Sequence, residues 1–135
     1  MKFNLAVKGI IQRNDGKILI VKRSRDDDHK PGVWETVGGG IDIKTSPQRA
    51  LQKEIKEEVN LDVEVKEPFN VFTFTKDNGE FKVGITFICQ YKKGKVKLSE
   101  EHSEYKWIKA KDFKKDKAAP SLYKEIMAYV KKYEQ

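Results

Sequence analysis

Three glutamates share one face of a predicted helix, and their spacing is the first sign of chemistry. At about 100° per residue, Glu54, Glu57 and Glu58 lie within about 100° of one another. Glu54 and Glu58 have no lysine or arginine three or four residues away, and Glu57 has only Lys53. Glu54 and Glu58 are four residues apart, and a pair of like charges at this spacing destabilises a helix by about 0.2–0.5 kcal/mol. A solvated acidic patch is one interpretation; the other is a divalent cation such as Mg²⁺, which binds carboxylates and phosphates.

A run of three glycines precedes this helix. Gly38, Gly39 and Gly40 follow the apolar segment Val33–Val37. Glycine lets the backbone approach a ligand closely, although a flexible turn would also explain the run. No Gly-Lys-Ser/Thr sequence follows, so the segment is not a P-loop. The glycines and the acidic helix together indicate a site for a metal and a phosphate.

The segment from Gly39 to Leu61 resembles the signature box of the Nudix hydrolases. That box reads glycine, five residues, glutamate, seven residues, arginine-glutamate-aliphatic, one residue, two glutamates, one residue, glycine-aliphatic. The spacing is kept throughout, but Thr45, Lys53 and Asn60 replace the first glutamate, the arginine and the last glycine. Other parts of the chain resemble the family too, namely Arg23, Trp34 and the segment from Glu101 to Trp107.

The resemblance implies metal-dependent hydrolysis of a pyrophosphate bond in a nucleoside diphosphate linked to another group, X. The implied cofactor is Mg²⁺ (or Mn²⁺). Its implied ligands are one backbone carbonyl and four carboxylates: Gly38, Glu54, Glu57, Glu58 and Glu104. The implied fold is an α/β/α sandwich with a mixed central sheet and flanking helices.

One glutamate must act as the general base in such a reaction. Glu57 is the first choice and Glu54 the second, while Glu104 is a third candidate outside the helix. Glu100 and Glu101 compete with Glu104 for this outside role, and the sequence does not separate them.

The three departures from the box differ in weight. Asn60 is a mild change, because asparagine tolerates the left-handed conformation needed after a helix. Thr45 is able to cap the helix, as is Ser46. Lys53 is the serious change, because an ammonium group cannot copy the planar fork with which arginine orients a carboxylate. We expect a slower or more permissive enzyme, with Lys53 in the catalytic set.

Four residues are candidates for substrate binding. Arg23 and Arg25 close a strand and could grip phosphates, although solvated strand-end cations are the alternative. Gly39 offers close approach of the backbone. Phe74 alternates with Phe72 along a strand and could stack a base, although core packing is the favoured interpretation for both.

The elements that must position these residues follow from hydrophobic periodicity. Residues Ile18 to Val21, Val63 to Thr75 and Phe81 to Tyr91 are predicted strands, with tight turns between neighbours. Helices are predicted from Ser46 to Asn60 and after Pro120. Strand hairpins mixed with two helices indicate an α+β class with a mixed sheet, in a single domain over residues 1–135.

Composition narrows the environment and the partners. Lysine and arginine number 28 against 21 acidic residues, for a net charge of +7. This balance favours anionic partners such as nucleotides, with nucleic acid a less favoured possibility. The single cysteine, Cys89, excludes an internal disulfide and favours a cytoplasmic location. No apolar run approaches the length of a membrane span, so no membrane is expected. A homodimer is left open.

Three functional hypotheses follow. The leading one is a Nudix-type pyrophosphohydrolase, with a nucleoside triphosphate slightly favoured over a dinucleoside polyphosphate or an ADP-ribose-like sugar. The second is a Nudix-like module that senses a nucleotide or RNA without cleaving it, which Lys53 and the net charge of +7 suggest. The third is a structural protein whose acidic helix has no ligand.

Overall fold

A mixed sheet lies between two helices in the computed structural model. The structure describes residues 3–24, 32–41, 44–76, 78–114 and 120–134. The helices are α1 (Pro47–Val59) and α2 (Pro120–Tyr133), and a 3₁₀ turn covers Ala110–Asp112. The strands are β1 (Phe3–Gln12), β2 (Ile18–Arg23), β3 (Trp34–Glu35), β4 (Val37–Gly40), β5 (Asp62–Thr75), β6 (Phe81–Lys93) and β7 (His102–Ile108).

The strands form one seven-stranded sheet with the path β3-β2-β1-β6-β5. Strand β1 runs parallel to β6 over its whole length, from Phe3 beside Phe81 to Gln12 beside Gln90. The pairs of β2 with β7 and of β5 with β6 are antiparallel. Strand β4 pairs antiparallel with β1. The parallel pair brings the N-terminal strand to the centre of the sheet, beside the strand that carries Cys89.

Two hydrophobic cores occupy the two faces of the sheet. Side chains alternate between the faces of a strand, so neighbours such as Ile10 and Ile11 enter different cores. Leu51, Ile55 and Val59 of α1 pack into one core. Leu122, Ile126 and Tyr129 of α2 pack into the other. The predicted α+β class and the mixed sheet with helices on both faces are therefore confirmed.

Helix α1 begins and ends where its capping residues predict. Ser46 accepts a hydrogen bond from the Arg49 backbone N–H at 3.2 Å, and Pro47 occupies the first turn. Asn60 ends the helix with φ 63°, and its backbone N–H donates to the Lys56 carbonyl. Asparagine thus holds the left-handed conformation for which the Nudix box uses glycine.

The triple glycine is part of strand β4, which corrects the expectation of a glycine-rich loop. Its register pairs Val7 with Gly39 and Lys8 with Gly38. A Cβ on Gly38 would lie 2.0 Å from the Val7 carbonyl oxygen. Glycine is needed here because β4 lies close against the backbone of β1.

The described part of the chain has no helix that is long and apolar enough to cross a membrane.

Candidate active site

The three glutamates of α1 differ in exposure because they sit at different angles from its buried face. Glu58 is only 6% exposed and stands beside the buried Val59. Glu54 is half-buried, and Glu57 is exposed. The helix therefore offers carboxylates graded from the protein interior to solvent, along the edge of its apolar stripe.

Strand β4 packs directly against this acidic face. A Cβ on Gly39 would lie 3.2 Å from a carboxylate oxygen of Glu54, so the bare glycine backbone leaves room for that side chain. Burial raises the pKa of Glu54, and the negative charges of Glu57 and Glu101 raise it further. The positive charge of Lys53 has a smaller, opposite effect on this pKa. The glycine strand and the acidic face of α1 thus lie against each other at Gly39 and Glu54.

A fourth carboxylate reaches the site from the segment that precedes β7. The Ser99 backbone N–H donates to the Glu58 carbonyl at 3.0 Å, which ties this segment to the end of α1. One ligand atom each from Glu58, Glu101 and His102 lie within 4.8 Å of one another. We call these three residues the Glu58 cluster.

The Glu58 cluster is a place where ionising a carboxyl group is costly. The Oε2 atom of Glu58 is buried and has no hydrogen-bond partner among the described residues. Burial raises the pKa of Glu58 well above its ordinary value, and the facing Glu101 and the nearby Glu54 and Glu35 add to this effect. While no cation is bound, Glu58 therefore favours its protonated form, and a bound cation would favour the carboxylate instead.

A buried hydrogen-bond chain lies behind the cluster. Glu35 joins His102 Nε2 at 2.8 Å through one oxygen and accepts a hydrogen bond from Arg23 Nε at 2.8 Å through the other. Strand pairing sets Arg23 opposite His102, after a register shift between Lys22 and Arg23. Burial alone would raise the pKa of Glu35, but His102, Arg23 and Lys8 together lower it below its ordinary value.

A cavity of about 460 Å³ is lined by Arg23 and Glu35 of the hydrogen-bond chain and by the three glycines of β4. The aromatic residues Phe72 and Phe74 line it, with ring centroids 5.9 Å apart. Polar and charged residues also line it: Lys8, Arg23, Glu35, Asn70, Lys76, Lys82 and Glu125. Glu125 accepts hydrogen bonds from Asn70 at 2.9 Å and from Thr86 at 2.8 Å. The cavity combines cations for phosphate groups with an aromatic wall, as nucleotide sites do.

Comparison with known proteins identifies this arrangement. A family model described as the NUDIX domain matches residues 2–130. The chain belongs to the Nudix family. It is 31% identical over 111 residues to the nucleoside triphosphatase NudI of Escherichia coli O17:K52:H18 (strain UMN026 / ExPEC), with 74% of this chain and 78% of that protein covered.

Solved structures give the same result for the fold. The MutT protein from Methanosarcina mazei Go1 superposes with a TM-score of 0.85 at 20% identity, covering 98% of this chain and 96% of that one. The E. coli ORF135 protein superposes with a TM-score of 0.78 at 25% identity, covering 97% and 91%. The chain is a Nudix-type pyrophosphohydrolase, which favours the enzyme over the sensor and the structural protein.

The structure places all but one of the remaining residues predicted from the sequence. Lys53 is exposed, and its Nζ lies 3.9 Å from a carboxylate oxygen of Glu57. Arg23 and Gly39 line the cavity. Phe74 also lines the cavity and is 37% exposed. The favoured interpretation of Phe74 as a core residue is therefore wrong. Arg25 lies outside the described residues.

Glu104 and Glu101, which compete for the role outside the helix, have different surroundings. Glu104 forms an ion pair with Lys22 at 3.3 Å, where β7 pairs with β2, and its own side chain is 56% exposed. Glu101 faces Glu58 within the cluster. The geometry therefore favours Glu101 as the carboxylate from outside α1, and the role of Glu104 stays a prediction.

Several residues of the site were not among the sequence-based candidates. These residues lie on four different elements: Glu35 on β3, His102 on β7, Lys82 on β6 and Glu125 on α2. Their side chains meet only through strand pairing and the packing of α2, which no local pattern encodes. The one signal in the sequence was a glutamate inside the apolar, strand-like segment Val33–Val37, since a charged residue in a buried strand needs a partner.

Proposed function

We propose that the protein hydrolyses a pyrophosphate bond of a nucleoside triphosphate with the help of a divalent cation. The observation that carries the proposal is the buried carboxyl group of Glu58, which clusters with Glu101 and His102. Glu35, the partner of His102, lines a cavity together with cations and aromatic rings. The name of the NudI relative, a nucleoside triphosphatase, supports the same substrate class.

The residues at the site fit a hard divalent cation. Mg²⁺ or Mn²⁺ prefers carboxylate oxygens, and a cation would favour the ionised form of Glu58, whose pKa is now raised by burial and by the neighbouring acids. The residues proposed to hold it are the Gly38 carbonyl with Glu54, Glu57, Glu58 and Glu101. When bound, such an ion neutralises phosphate charge and lowers the pKa of bound water. Glu104 is kept as the ligand predicted from the sequence, with Glu101 favoured by position.

The cavity suits a single nucleoside with its phosphate chain. Lys8, Arg23, Lys76 and Lys82 supply positive charge for the phosphates, and Phe72 and Phe74 supply flat apolar surface for a base. Asn70 and Glu125 offer polar groups in the same cavity. Its volume of about 460 Å³ lies within the range of about 300–1,000 Å³ found for small-molecule sites.

Glu57 is the proposed general base. Its carboxylate is the most exposed of the three on α1, so a water molecule can reach it from solvent. The ammonium group of Lys53 lies 3.9 Å from the Glu57 carboxylate. It supplies a positive charge there without the bidentate hydrogen bonds of an arginine. Glu54, which packs against Gly39, is the second candidate.

A substrate panel tests the proposal. The protein, with Mg²⁺, is offered nucleoside triphosphates, a dinucleoside tetraphosphate and ADP-ribose, in water labelled with heavy oxygen. We expect a nucleoside triphosphate to have the highest kcat/KM, with the label in one of its two products. Preference for the dinucleotide or the sugar would replace the substrate class. Binding of every compound with no cleavage would contradict the proposal.

The cytoplasmic location, the homodimer and the lack of nucleic-acid binding remain predictions from the sequence. The single cysteine supports the first of them.

A further inference from the structure

His102 is buried next to the acidic cluster and has one nitrogen unused. Its side chain is 2% exposed. The Nε2 atom lies 2.8 Å from a Glu35 oxygen. The Nδ1 atom is buried and has no hydrogen-bond partner in the described part of the chain. A buried ring nitrogen without a protein partner needs a water molecule or an ion to satisfy it.

The position of Glu35 decides which nitrogen carries the proton. Arg23 donates to the other oxygen of Glu35 at 2.8 Å, and this ion pair favours the ionised carboxylate. An ionised carboxylate only accepts hydrogen bonds, so Nε2–H is the donor in the contact with His102. A neutral ring that donates through Nε2 has a lone pair at Nδ1.

This arrangement is the one found around histidines that bind metals. Such a histidine donates its second ring N–H to a carboxylate, which fixes the tautomer and makes the ligating nitrogen more basic. Ligand atoms on opposite sides of one ion lie about 4.2 Å apart, given bonds of about 2.1 Å. The Glu58, Glu101 and His102 ligand atoms lie within 4.8 Å of one another, which is close to this spacing.

We propose that His102 Nδ1 is a nitrogen ligand of the cation held by Glu58 and Glu101, with Glu35 and Arg23 supporting the ring from behind. The proposal rests on the metal site of the proposed function. It gives this site a mixed nitrogen and oxygen donor set in place of carboxylates and carbonyl oxygen alone.

The donor set changes the order of metal preference. Imidazole nitrogen suits Ni²⁺, Co²⁺ and Zn²⁺ better than Mg²⁺, which prefers oxygen ligands. The protein therefore binds transition ions more tightly than a site of carboxylates would. The nitrogen ligand strengthens Ni²⁺ binding far more than Mg²⁺ binding.

Pulsed electron paramagnetic resonance of bound Mn²⁺ tests the ligand directly. The wild type should show a hyperfine coupling from an imidazole nitrogen, and His102→Gln should lose it while still binding Mn²⁺. His29→Gln is the matched control because the chain has only two histidines, and it should keep the coupling. Bound Mn²⁺ without a nitrogen coupling would overturn this proposal and leave the proposed function intact. No Mn²⁺ binding at all would contradict both.

Calorimetric titration separates a ligand from a residue that merely supports the fold. His102→Gln should weaken Ni²⁺ binding about 10–100-fold and change Mg²⁺ binding far less, and Glu35→Gln should weaken Ni²⁺ binding about tenfold through the lost support. Circular dichroism checks that each variant is folded. Equal losses for Ni²⁺ and Mg²⁺ in the folded His102→Gln protein would overturn the proposal.

Discussion

At the scale of single residues, the active site depends on where each carboxylate is placed. Glu58 is buried, Glu54 packs against glycine and Glu57 meets solvent, although all three belong to one short motif. The motif predicts that they act together. It does not predict which acid from the distant segment joins them, because that depends on how the chain before β7 docks on α1.

Glu101→Gln and Glu104→Gln form a matched pair of variants that tests this docking. Each exchanges one carboxylate for an amide of the same shape, three residues apart. We expect Glu101→Gln to lower kcat/KM about 100-fold or more, because it removes charge next to Glu58. Glu104→Gln should stay close to wild type, because it loses only an exposed ion pair with Lys22. The opposite order would restore Glu104 as the ligand.

Lys53→Arg tests the departure from the Nudix box. The Lys53 side chain is 78% exposed and lies 3.9 Å from Glu57, so an arginine fits without repacking. We expect turnover to hold or to rise, because a guanidinium orients a carboxylate through two hydrogen bonds. Steady-state kinetics with a nucleoside triphosphate measure the effect. A large loss of kcat would show that this site has adapted to lysine.

At the scale of elements, the sequence predicts α1, α2 and the β5–β6 hairpin within a few residues of their observed ends. Periodicity and capping residues are local signals, so they serve these elements well. The glycine run suggests a turn, but its extended conformation is set by pairing with the neighbouring strand β1. Gly38 is extended and paired with β1, a contact that a reading of turn propensity misses.

Gly38→Ala and Gly40→Ala test how closely β4 approaches β1. A Cβ at Gly38 would overlap the Val7 carbonyl at 2.0 Å, whereas one at Gly40 would meet only the flexible end of Lys82 at 3.5 Å. We expect Gly38→Ala to lower the free energy of unfolding by about 1–3 kcal/mol. Gly40→Ala should change it by no more than about 0.5 kcal/mol. Urea denaturation measures both, and equal stabilities would contradict this account of the strand.

Tyr129 tests the packing of α2 on the sheet through pH. Burial raises the pKa of Tyr129 to about 12, with smaller effects from Glu134 and Tyr133, and its hydroxyl donates to Gln12 at 2.7 Å. The unfolded state releases this proton near pH 10, its ordinary value, before the folded state does. Stability from this group is therefore complete below pH 10 and falls between pH 10 and about 12.

Tyr129→Phe removes this source of pH dependence. The wild type should lose up to about 1.4 kcal/mol of unfolding free energy per pH unit in that range from this group. Tyr129→Phe should show a shallower slope, while both proteins behave alike between pH 7 and 9 apart from a constant offset. Parallel slopes above pH 10 would show that the hydroxyl is not buried as described.

At the scale of the whole molecule, the sequence predicts the class, the two-sided sandwich and the family. It does not predict the parallel pairing of β1 with β6, which joins residues 78 positions apart, as Phe3 and Phe81 are. It also does not predict that β2, β3 and β7 converge on Arg23, Glu35 and His102. These contacts depend on long-range packing, and the cavity and the support of the metal site follow from them.

The central claim is that the buried Glu58 and the exposed Glu101 together bind a cation that also contacts a polyphosphate. The most direct measurement is a crystal structure with Mn²⁺ and a non-hydrolysable nucleoside triphosphate, in which anomalous scattering locates the ion. We predict an ion between Glu58 and Glu101, with the phosphates beside Arg23 and Lys82 and the base near Phe74. An ion bound elsewhere, with Glu58 still unpartnered and the nucleotide outside the cavity, would contradict the account.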